Sequence, residues 1–201
     1  MNKITMPLGL GIALIWGNSL YAASLQKGNQ ANRQELNFDA SWKFFLGDDS
    51  LASRTIYGDA KWRTLTLPHD WSIEQNIDRN APAGNDGGYY PTGIGWYRKN
   101  FKLPASYRKG DKVQLYFEGV YMNSSVYVNG KRVGGHPYGY TSYFCDITDA
   151  ILPGKNNVVA VRVDNAQQKN CRWYSGSGIY RPVKLICTSP VHIANWGVNV
   201  Q

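Results

Sequence analysis

Apolar and polar residues alternate along much of this chain, which is the pattern of β-strands that bury one face. In residues 113–117, Val113, Leu115 and Phe117 share one face, and Gln114 and Tyr116 share the other. After a turn at position 119, the alternation resumes over residues 124–128. The pattern predicts strands in an antiparallel sheet with one face in solvent.

The dipeptide Asn129-Gly130 follows directly and is typical of a type I′ hairpin turn, in which both central residues have positive φ. Residues 131–133 are expected to begin the return strand. Residues 157–164, NVVAVRVD, form the clearest buried strand of the chain. Short strands at even spacing, Gly/Pro turns and no convincing amphipathic helix together predict an all-β sandwich.

Four motifs, in a fixed order, carry a resemblance to a known family. They are LPHDWSIE at 67–74, GGYYPTGIGWYRKNF at 87–101, FEGVYMNSSVYVNGKRVGGHPYGYTSYFCDIT at 117–148 and RWYSGSGIYRPVKL at 172–185. Together they resemble the N-terminal sugar-binding domain of glycoside hydrolase family 2, which includes β-galactosidases, β-glucuronidases and β-mannosidases. The resemblance extends over about residues 36–187 and implies a galactose-binding-like jelly-roll β-sandwich.

The N-terminal residues have the features of an export signal. Lys3 precedes an apolar segment at 7–16, and small residues before Ala23 fit a cleavage site, so residues 1–22 are predicted to be a signal peptide. The apolar segment is short for a membrane span. The predicted location is therefore the periplasm or the exterior of the cell.

The remaining chain divides into three predicted parts. Residues 23–35 are polar and are expected to be a flexible leader, and residues 36–188 form the jelly-roll domain. Residues 189–201 alternate as a strand, and the resemblance implies that this is the first strand of an immunoglobulin-like domain. Family members continue into such domains and a catalytic TIM barrel, which are thus the implied partners, and the chain is interpreted as the front end of a longer protein.

Charge and cysteine content narrow the function classes. The formal net charge of +8 comes from scattered basic pairs beside turns, which favours a solvated rim over nucleic-acid binding. The cysteine count is odd, and spacing does not identify a pair among Cys145, Cys171 and Cys187. Cys145 and Cys187 lie in strand patterns and are expected to be buried. No Cys/His cluster has zinc-site spacing, so no metal or cofactor is expected.

Candidate sugar-contacting residues lie in three loops. Asp70 and Trp71 follow Pro68, where a polar residue beside a large aromatic ring suits a concave sugar site. Alternatively, Asp70 caps a turn and Trp71 covers the edge of the core. Tyr90 lies near the end of a long loop at 75–95. The resemblance aligns Tyr90 with an asparagine that reaches the sugar in some β-galactosidases, so this chain departs from that branch.

The third loop contains Arg172, Trp173 and Tyr174 among glycines. In many β-galactosidases and β-glucuronidases the position of Arg172 is an aspartate that contacts the sugar, so the resemblance is to the family and not to that branch. Arg172 either holds a sugar hydroxyl or acid through its fork of donors, or pairs with an acid on a neighbouring domain. Arg181 is expected to be structural, bonded to loop carbonyls or to an acid.

The glutamates offer no catalytic pair. Retaining glycosidases need two carboxyl groups about 5 Å apart. Glu35 lies in the predicted leader, Glu74 in a loop and Glu118 at a strand end, and the family's catalytic glutamates belong to the barrel. The chain is predicted to be the non-catalytic sugar-binding and supporting module of an exported, β-galactosidase-like glycosidase. The alternatives are an autonomous carbohydrate-binding protein, with Trp71, Tyr90, Trp173 and Tyr174 stacking on sugars, or an inactive truncated remnant.

Overall fold

The computed structural model describes residues 33–200, which form ten β-strands and two short 3-10 turns at Ser50–Ser53 and Gly84–Gly87. The strands are β1 (Arg33–Asn37), β2 (Trp42–Leu46), β3 (Arg63–Leu65), β4 (Gly93–Phe101), β5 (Lys112–Phe117), β6 (Ser124–Val128), β7 (Lys131–His136), β8 (Tyr143–Asp146), β9 (Asn157–Asn165) and β10 (Val183–Thr188). The predicted signal peptide and residues 23–32 of the predicted leader lie outside the described residues.

The strands form two antiparallel sheets that pack face to face. One sheet has the order β1-β10-β5-β8, and the other has the order β3-β2-β4-β9-β6-β7. The predicted all-β sandwich is therefore confirmed. Residues 33–200 contain no helix of the length and apolarity that a membrane crossing requires.

The alternating segments lie where their patterns predicted. Val113, Leu115 and Phe117 on β5 are fully buried in the core between the sheets. β9 lies between β4 and β6, and Val159, Val161 and Val163 face the same core. The predicted hairpin is confirmed: β6 returns as β7 through Asn129 and Gly130, with φ of 50° and 83°.

The outer face of the six-stranded sheet is also covered. The Arg98 side chain is buried and donates to Asp59 at 2.8 Å and to the backbone carbonyls of Ala52 and Arg54. These bonds hold the segment between β2 and β3 against Trp96, which is 1% exposed. The middle of β4, from Gly95 to Arg98, is thus buried on both faces, whereas Asn100 near the end of the strand is exposed.

Two boundaries differ from what the sequence indicates. β1 covers Arg33–Asn37, so it begins inside the predicted leader of residues 23–35. An edge strand pairs through its backbone, and polar side chains there do not report pairing. Residues 62–67, WRTLTL, alternate as a strand would, but the strand is limited to Arg63–Leu65, and a cis Leu67-Pro68 bond follows it.

The expected strand at 189–201 does not form within residues 189–200. Alternation yields a strand only where a neighbour takes up the backbone hydrogen bonds, and no strand among residues 33–200 pairs with this segment. Instead, Asn195 bonds to Arg33 on β1 at 2.9 Å and to Gln114 on β5 at 2.6 Å. The segment thus crosses the outer face of the four-stranded sheet, and Val191, Ile193, Val198 and Val200 remain largely exposed.

Candidate functional site

Loops from distant parts of the chain meet at a shallow depression on the surface of the sandwich. The depression is lined by Ser72, Tyr90 and Thr92 together with residues of the loop between β9 and β10, including Trp173 and Tyr174. Three of the six predicted site residues therefore lie together although they are up to 84 positions apart in sequence (174 minus 90).

The Asp70 carboxylate holds the loops of this depression together through hydrogen bonds. Its Oδ1 accepts hydrogen bonds from the backbone N–H groups of Ser72 at 2.9 Å and Ser177 at 2.8 Å, and its Oδ2 accepts from the Tyr174 hydroxyl. Gly176 has φ of 71°, and a Cβ there would lie 2.5 Å from Asp70 Oδ2. Asp70 therefore ties the two loops together, and the turn-capping alternative from the sequence is confirmed.

Tyr174 is held by this carboxylate and by a second ring. Burial raises its pKa well above the ordinary value of 10.0, and the hydrogen bond to Asp70 raises that pKa further, so the hydroxyl stays protonated as a donor. The Tyr90 ring meets it edge to face, with ring centroids 5.1 Å apart. The sequence-predicted Tyr90 and Tyr174 are thus in direct contact.

Trp173 continues the aromatic surface on the other side. Its side chain is 59% exposed, and its indole N–H donates to the Tyr140 hydroxyl at 2.8 Å. Tyr140 in turn packs against Tyr138 and Tyr121, with ring centroids 5.5 and 5.3 Å away. We call the surface formed by Tyr90, Tyr138, Tyr140, Trp173 and Tyr174 the aromatic lip.

Tyr138 and Tyr140 are members of the lip that sequence reasoning missed. They lie in the segment Pro137-Tyr-Gly-Tyr-Thr141, just after β7. Two tyrosines flanking a glycine in a turn have no buried face to fill, and both remain about half exposed. That pattern of aromatic residues in a Gly/Pro turn was the available signal.

Trp71 is not part of the exposed surface. It is 1% exposed and stacks on Phe44 with ring centroids 5.7 Å apart, so it presents no free ring face to a ligand. The alternative in which Trp71 belongs to the core is confirmed. Its neighbour His69 is also buried, with Nδ1 2.7 Å from the Tyr97 hydroxyl. Burial lowers the pKa of His69 below its ordinary value.

Two arginines beside the lip make no hydrogen bond or ion pair within residues 33–200. Arg172 is exposed and makes no hydrogen bond or ion pair with a described residue. Arg181 was expected to bond loop carbonyls or an acid, and this expectation is wrong: it is exposed and contacts the Tyr180 ring at 5.8 Å. The neighbouring Tyr180 hydroxyl bonds the Gly139 carbonyl instead, at 2.7 Å, and leaves the guanidinium free.

The depression is too small to enclose a sugar. Its volume is about 10 Å³, which is the room of roughly one water molecule. Ligand pockets that bury a small molecule measure roughly 300–1,000 Å³. The depression by itself therefore has no room for a pyranose ring.

The glutamates form ion pairs at two places, because Lys184 contacts both Glu35 and Glu118. Glu35 lies on β1 and not in a leader, and it pairs with Arg33 at 2.8 Å. Glu74 pairs with Arg63, and Glu118 pairs with Lys184 at 3.1 Å. Residues 33–200 hold no group of three or more His, Cys, Asp or Glu side chains positioned for a metal ion.

The cysteines within this range are all free thiols. Cys145 and Cys187 are buried, as predicted, and burial raises their pKa to about 12 and about 11. Cys171 is half-buried beside the lip.

A β-sandwich with functional loops at one end hosts many different functions, so the family is assigned by direct comparison. Residues 33–190 match the family model described as "Glycosyl hydrolases family 2, sugar binding domain". The chain therefore belongs to glycoside hydrolase family 2 and corresponds to its N-terminal domain, as the four motifs predicted.

Relatives extend well beyond this domain. The chain is 47% identical to the β-galactosidase BoGH2A of Bacteroides ovatus over 168 residues, covering 84% of this chain and 20% of that protein. It is 43% identical to a putative β-glucuronidase of Formosa agariphila, covering 92% of this chain and 17% of that protein. The chain thus spans about a fifth of the length of the curated relatives it matches.

Solved structures agree with the fold. A crystal structure of a glycosyl hydrolase family 2 member from Bacteroides cellulosilyticus superposes with a TM-score of 0.78 at 42% identity, covering 81% of this chain and 22% of that chain. A β-glycosidase from Bacteroides vulgatus gives a TM-score of 0.76 at 45% identity, covering 80% of this chain and 21% of that chain.

Proposed function

We propose that this domain supplies one wall of the saccharide site of an exported, β-galactosidase-like glycosidase and supports that enzyme's catalytic barrel. The single observation that carries the proposal is the aromatic lip. Tyr138, Tyr140 and Trp173 are at least 45% exposed, yet hydrogen bonds and ring contacts fix them, and the depression that Trp173 lines is too small for a pyranose. A surface of this kind needs a second wall to enclose a sugar.

The chemistry of the lip suits a pyranoside. Aromatic rings offer flat apolar surface to the C–H face of a sugar, while tyrosine hydroxyls serve its polar edge. Trp173 and Tyr174 are held by Tyr140 and Asp70, so little side-chain entropy is lost when a sugar packs on them. Arg172 stands beside them as a free fork of donors for a sugar hydroxyl or an acidic group.

Hydrolysis itself is assigned to a barrel and not to this domain. Each glutamate described here forms an ion pair with a basic side chain: Glu74 with Arg63, and Glu35 and Glu118 with a shared Lys184. The expected result for the chain by itself is no release of nitrophenol from aryl β-galactosides or β-glucuronides. The assignment would be contradicted if the purified chain released nitrophenol and if Glu74→Gln or Glu118→Gln abolished that activity.

A domain exchange tests the proposal directly. Residues 33–188 of this chain replace the matching domain in the β-galactosidase of Bacteroides ovatus, and the chimera is assayed with an aryl β-galactoside. We expect an active chimera in which Trp173→Ala raises KM with little change in kcat, because the ring contributes binding to ground state and transition state alike. Arg132→Ala, on the exposed hairpin, is the matched control.

The second candidate function is an autonomous carbohydrate-binding module, and the preformed lip is the observation that favours it. Calorimetry of the whole chain against methyl β-galactoside and methyl β-mannoside separates the two. If this domain supplies only one wall of the site, the titration of the chain alone should show no saturable heat. Saturable heat that disappears in Trp173→Ala would establish the autonomous module instead.

Export is part of the same proposal and rests on the pattern of residues 1–22. Expression of the whole chain in a bacterium, followed by N-terminal sequencing of the periplasmic or secreted fraction, should give a mature chain that begins at Ala23. Retention of Met1 in a cytoplasmic product would contradict it.

A further inference from the structure

A second groove lies against the outer face of the four-stranded sheet. Tyr140 lines it and links it to Trp173 at the depression. The groove is open, has a volume of about 530 Å³ and is lined by Tyr116, Glu118, Tyr140, Ser142, Arg181 and Trp196. Its volume falls in the range of sites that hold a small molecule. The groove is therefore large enough for a sugar, whereas the depression under the lip is not.

The floor of the groove is aromatic. Tyr116 on β5 and Phe144 on β8 are cross-strand partners that stack at 4.4 Å with an interplanar angle of 21°. Trp196, from the segment that crosses this sheet, meets the Phe144 ring edge to face at 4.9 Å and is 72% exposed. Lys184 Nζ lies 5.9 Å from the centroid of the Tyr116 ring on the side away from Phe144, so the ring left open for the apolar face of a pyranose is that of Trp196.

One rim of the groove carries an uncompensated positive charge. Arg181 is exposed and has no carboxylate partner among residues 33–200. Glu118 lines the same groove, but its carboxylate pairs with Lys184 at 3.1 Å, so this pair adds little net charge. A planar guanidinium with free donors matches a carboxylate through two parallel hydrogen bonds.

The rim is held in place before any ligand arrives. The Tyr180 hydroxyl bonds the Gly139 carbonyl at 2.7 Å, which fixes the loop that carries Tyr140. A Cβ at Gly119 would lie 2.7 Å from the Tyr180 ring and 3.0 Å from Arg181 Cδ, so the close approach of both side chains requires glycine there. Preorganisation of this kind lowers the entropy cost of binding.

Polar groups without protein partners also face the groove. The Tyr116 and Ser142 hydroxyls make no hydrogen bond with a described residue, and both side chains line the groove. They are available to sugar hydroxyls. An acidic sugar needs an aromatic ring for its apolar face, hydroxyls for its polar edge and a cation for its carboxylate. The groove supplies all three.

We propose that this groove is a separate binding site for a hexuronic acid unit, with the sugar ring on Trp196, its hydroxyls beside those of Tyr116 and Ser142, and its carboxylate on Arg181. The site is distinct from the aromatic lip, because none of these four residues belongs to it. Tyr140 touches both surfaces, so a longer acidic saccharide in the groove would lead toward Trp173.

The test compares two ligands that differ only at C6, methyl β-glucuronide and methyl β-glucoside, titrated into the whole chain and followed by calorimetry and tryptophan fluorescence. We expect millimolar binding of the glucuronide, at least fivefold tighter than the glucoside and weaker at high salt. Arg181→Ala should remove this preference, and Arg181→Lys should restore part of it. Arg132→Ala removes the same charge from the far hairpin and should change nothing.

Other outcomes overturn the proposal. Equal affinity for the two ligands, or no saturable binding of either ligand to a folded chain, means that the groove does not recognise the carboxylate. A glucuronide preference that persists in Arg181→Ala but is lost in Trp173→Ala places the acidic sugar on the lip. That last result would leave the lip's sugar-facing role intact. Trp196→Phe supplies an independent check, because the fluorescence response, but not most of the affinity, should disappear.

Discussion

Removal of the Asp70 carboxylate should loosen the candidate site and destabilise the whole domain. This side chain accepts three hydrogen bonds, from the Ser72 and Ser177 backbone N–H groups and from the Tyr174 hydroxyl. The Ser177 residue is fully buried, so its N–H has no access to water when the acceptor is removed. Asp70→Ala therefore leaves a buried donor unpaired as well as two bonds unmade.

The magnitude follows from those contacts. A typical hydrogen bond contributes about 1 kcal/mol net, and partial exposure of Asp70 argues for that value over the larger one of fully buried charged groups, so the loss of three bonds should cost about 3 kcal/mol. For a domain of this size that corresponds to a decrease in Tm of about 6–12 °C. Asp70→Asn retains one carbonyl oxygen for the two backbone donors and should lose about half as much.

The assay is urea unfolding of the three proteins followed by tryptophan fluorescence, with Tyr174→Phe as the control that removes only the hydroxyl bond. The free energy of unfolding should fall in the order wild type, Tyr174→Phe, Asp70→Asn, Asp70→Ala. If Asp70→Ala unfolds within about 1 kcal/mol of wild type, Asp70 does not tie these loops together.

Three further predictions address the buried residues around the site. Burial lowers the pKa of His69 below 6.5, so the folded state resists protonation, and unfolding by urea should become easier as pH falls below that value; His69→Gln should reduce this dependence. Trp71→Ala removes a core ring and should cost about 3–5 kcal/mol in the same urea assay, whereas Trp173→Ala removes an exposed ring and should cost about 0.5 kcal/mol or less. Gly178→Ala should cost about 1–3 kcal/mol more than Gly93→Ala in thermal unfolding. Both glycines have φ near 130°, but a Cβ at Gly178 would lie 2.4 Å from the Tyr97 hydroxyl, while Gly93 has open space.

Each of these three predictions can be contradicted by a specific result. Equal stability at pH 7.5 and 5.5 would mean that His69 takes up a proton as easily folded as unfolded. Glu74 does not confuse that comparison, because its pKa is lowered from 4.5 and its contribution is lost only in more acidic solution. Similar losses for Trp71→Ala and Trp173→Ala would contradict their different burial, and equal losses for the two glycine variants would mean that the space around Gly178 adapts.

Local patterns were sufficient to predict the strands that bury one face. Residues 113–117 and 157–164 alternate because the core takes every second side chain, and this requirement holds whatever the topology. Asn129-Gly130 specified its hairpin because few other residues adopt two successive positive φ values. Segments whose structure depends on partners were not predictable in this way. β1 is polar yet paired, and residues 189–200 alternate yet remain unpaired, since backbone pairing depends on which neighbour is in reach.

The candidate site was predictable only in part, because sequence does not reveal which aromatic rings lie outside the core. Trp71 and Trp173 both lie in loops rich in polar residues, but one is 1% exposed and the other is 59% exposed. The difference arises from tertiary packing, since Phe44 on β2 covers Trp71. Tyr138 and Tyr140 lie in the lip because the turn after β7 reaches Trp173, a contact over 33 positions that no local pattern indicates.

The KM of the chimeric β-galactosidase carrying residues 33–188 and Trp173→Ala tests the central claim most directly. If the aromatic lip is one wall of the saccharide site, losing its most exposed ring should raise KM for an aryl β-galactoside by about 2–10-fold, the equivalent of about 0.5–1.5 kcal/mol of aromatic packing. The unfolding temperature and kcat should stay near those of the parent chimera. An unchanged KM in a folded, active chimera would mean that the lip does not face the substrate and that this domain only supports the barrel.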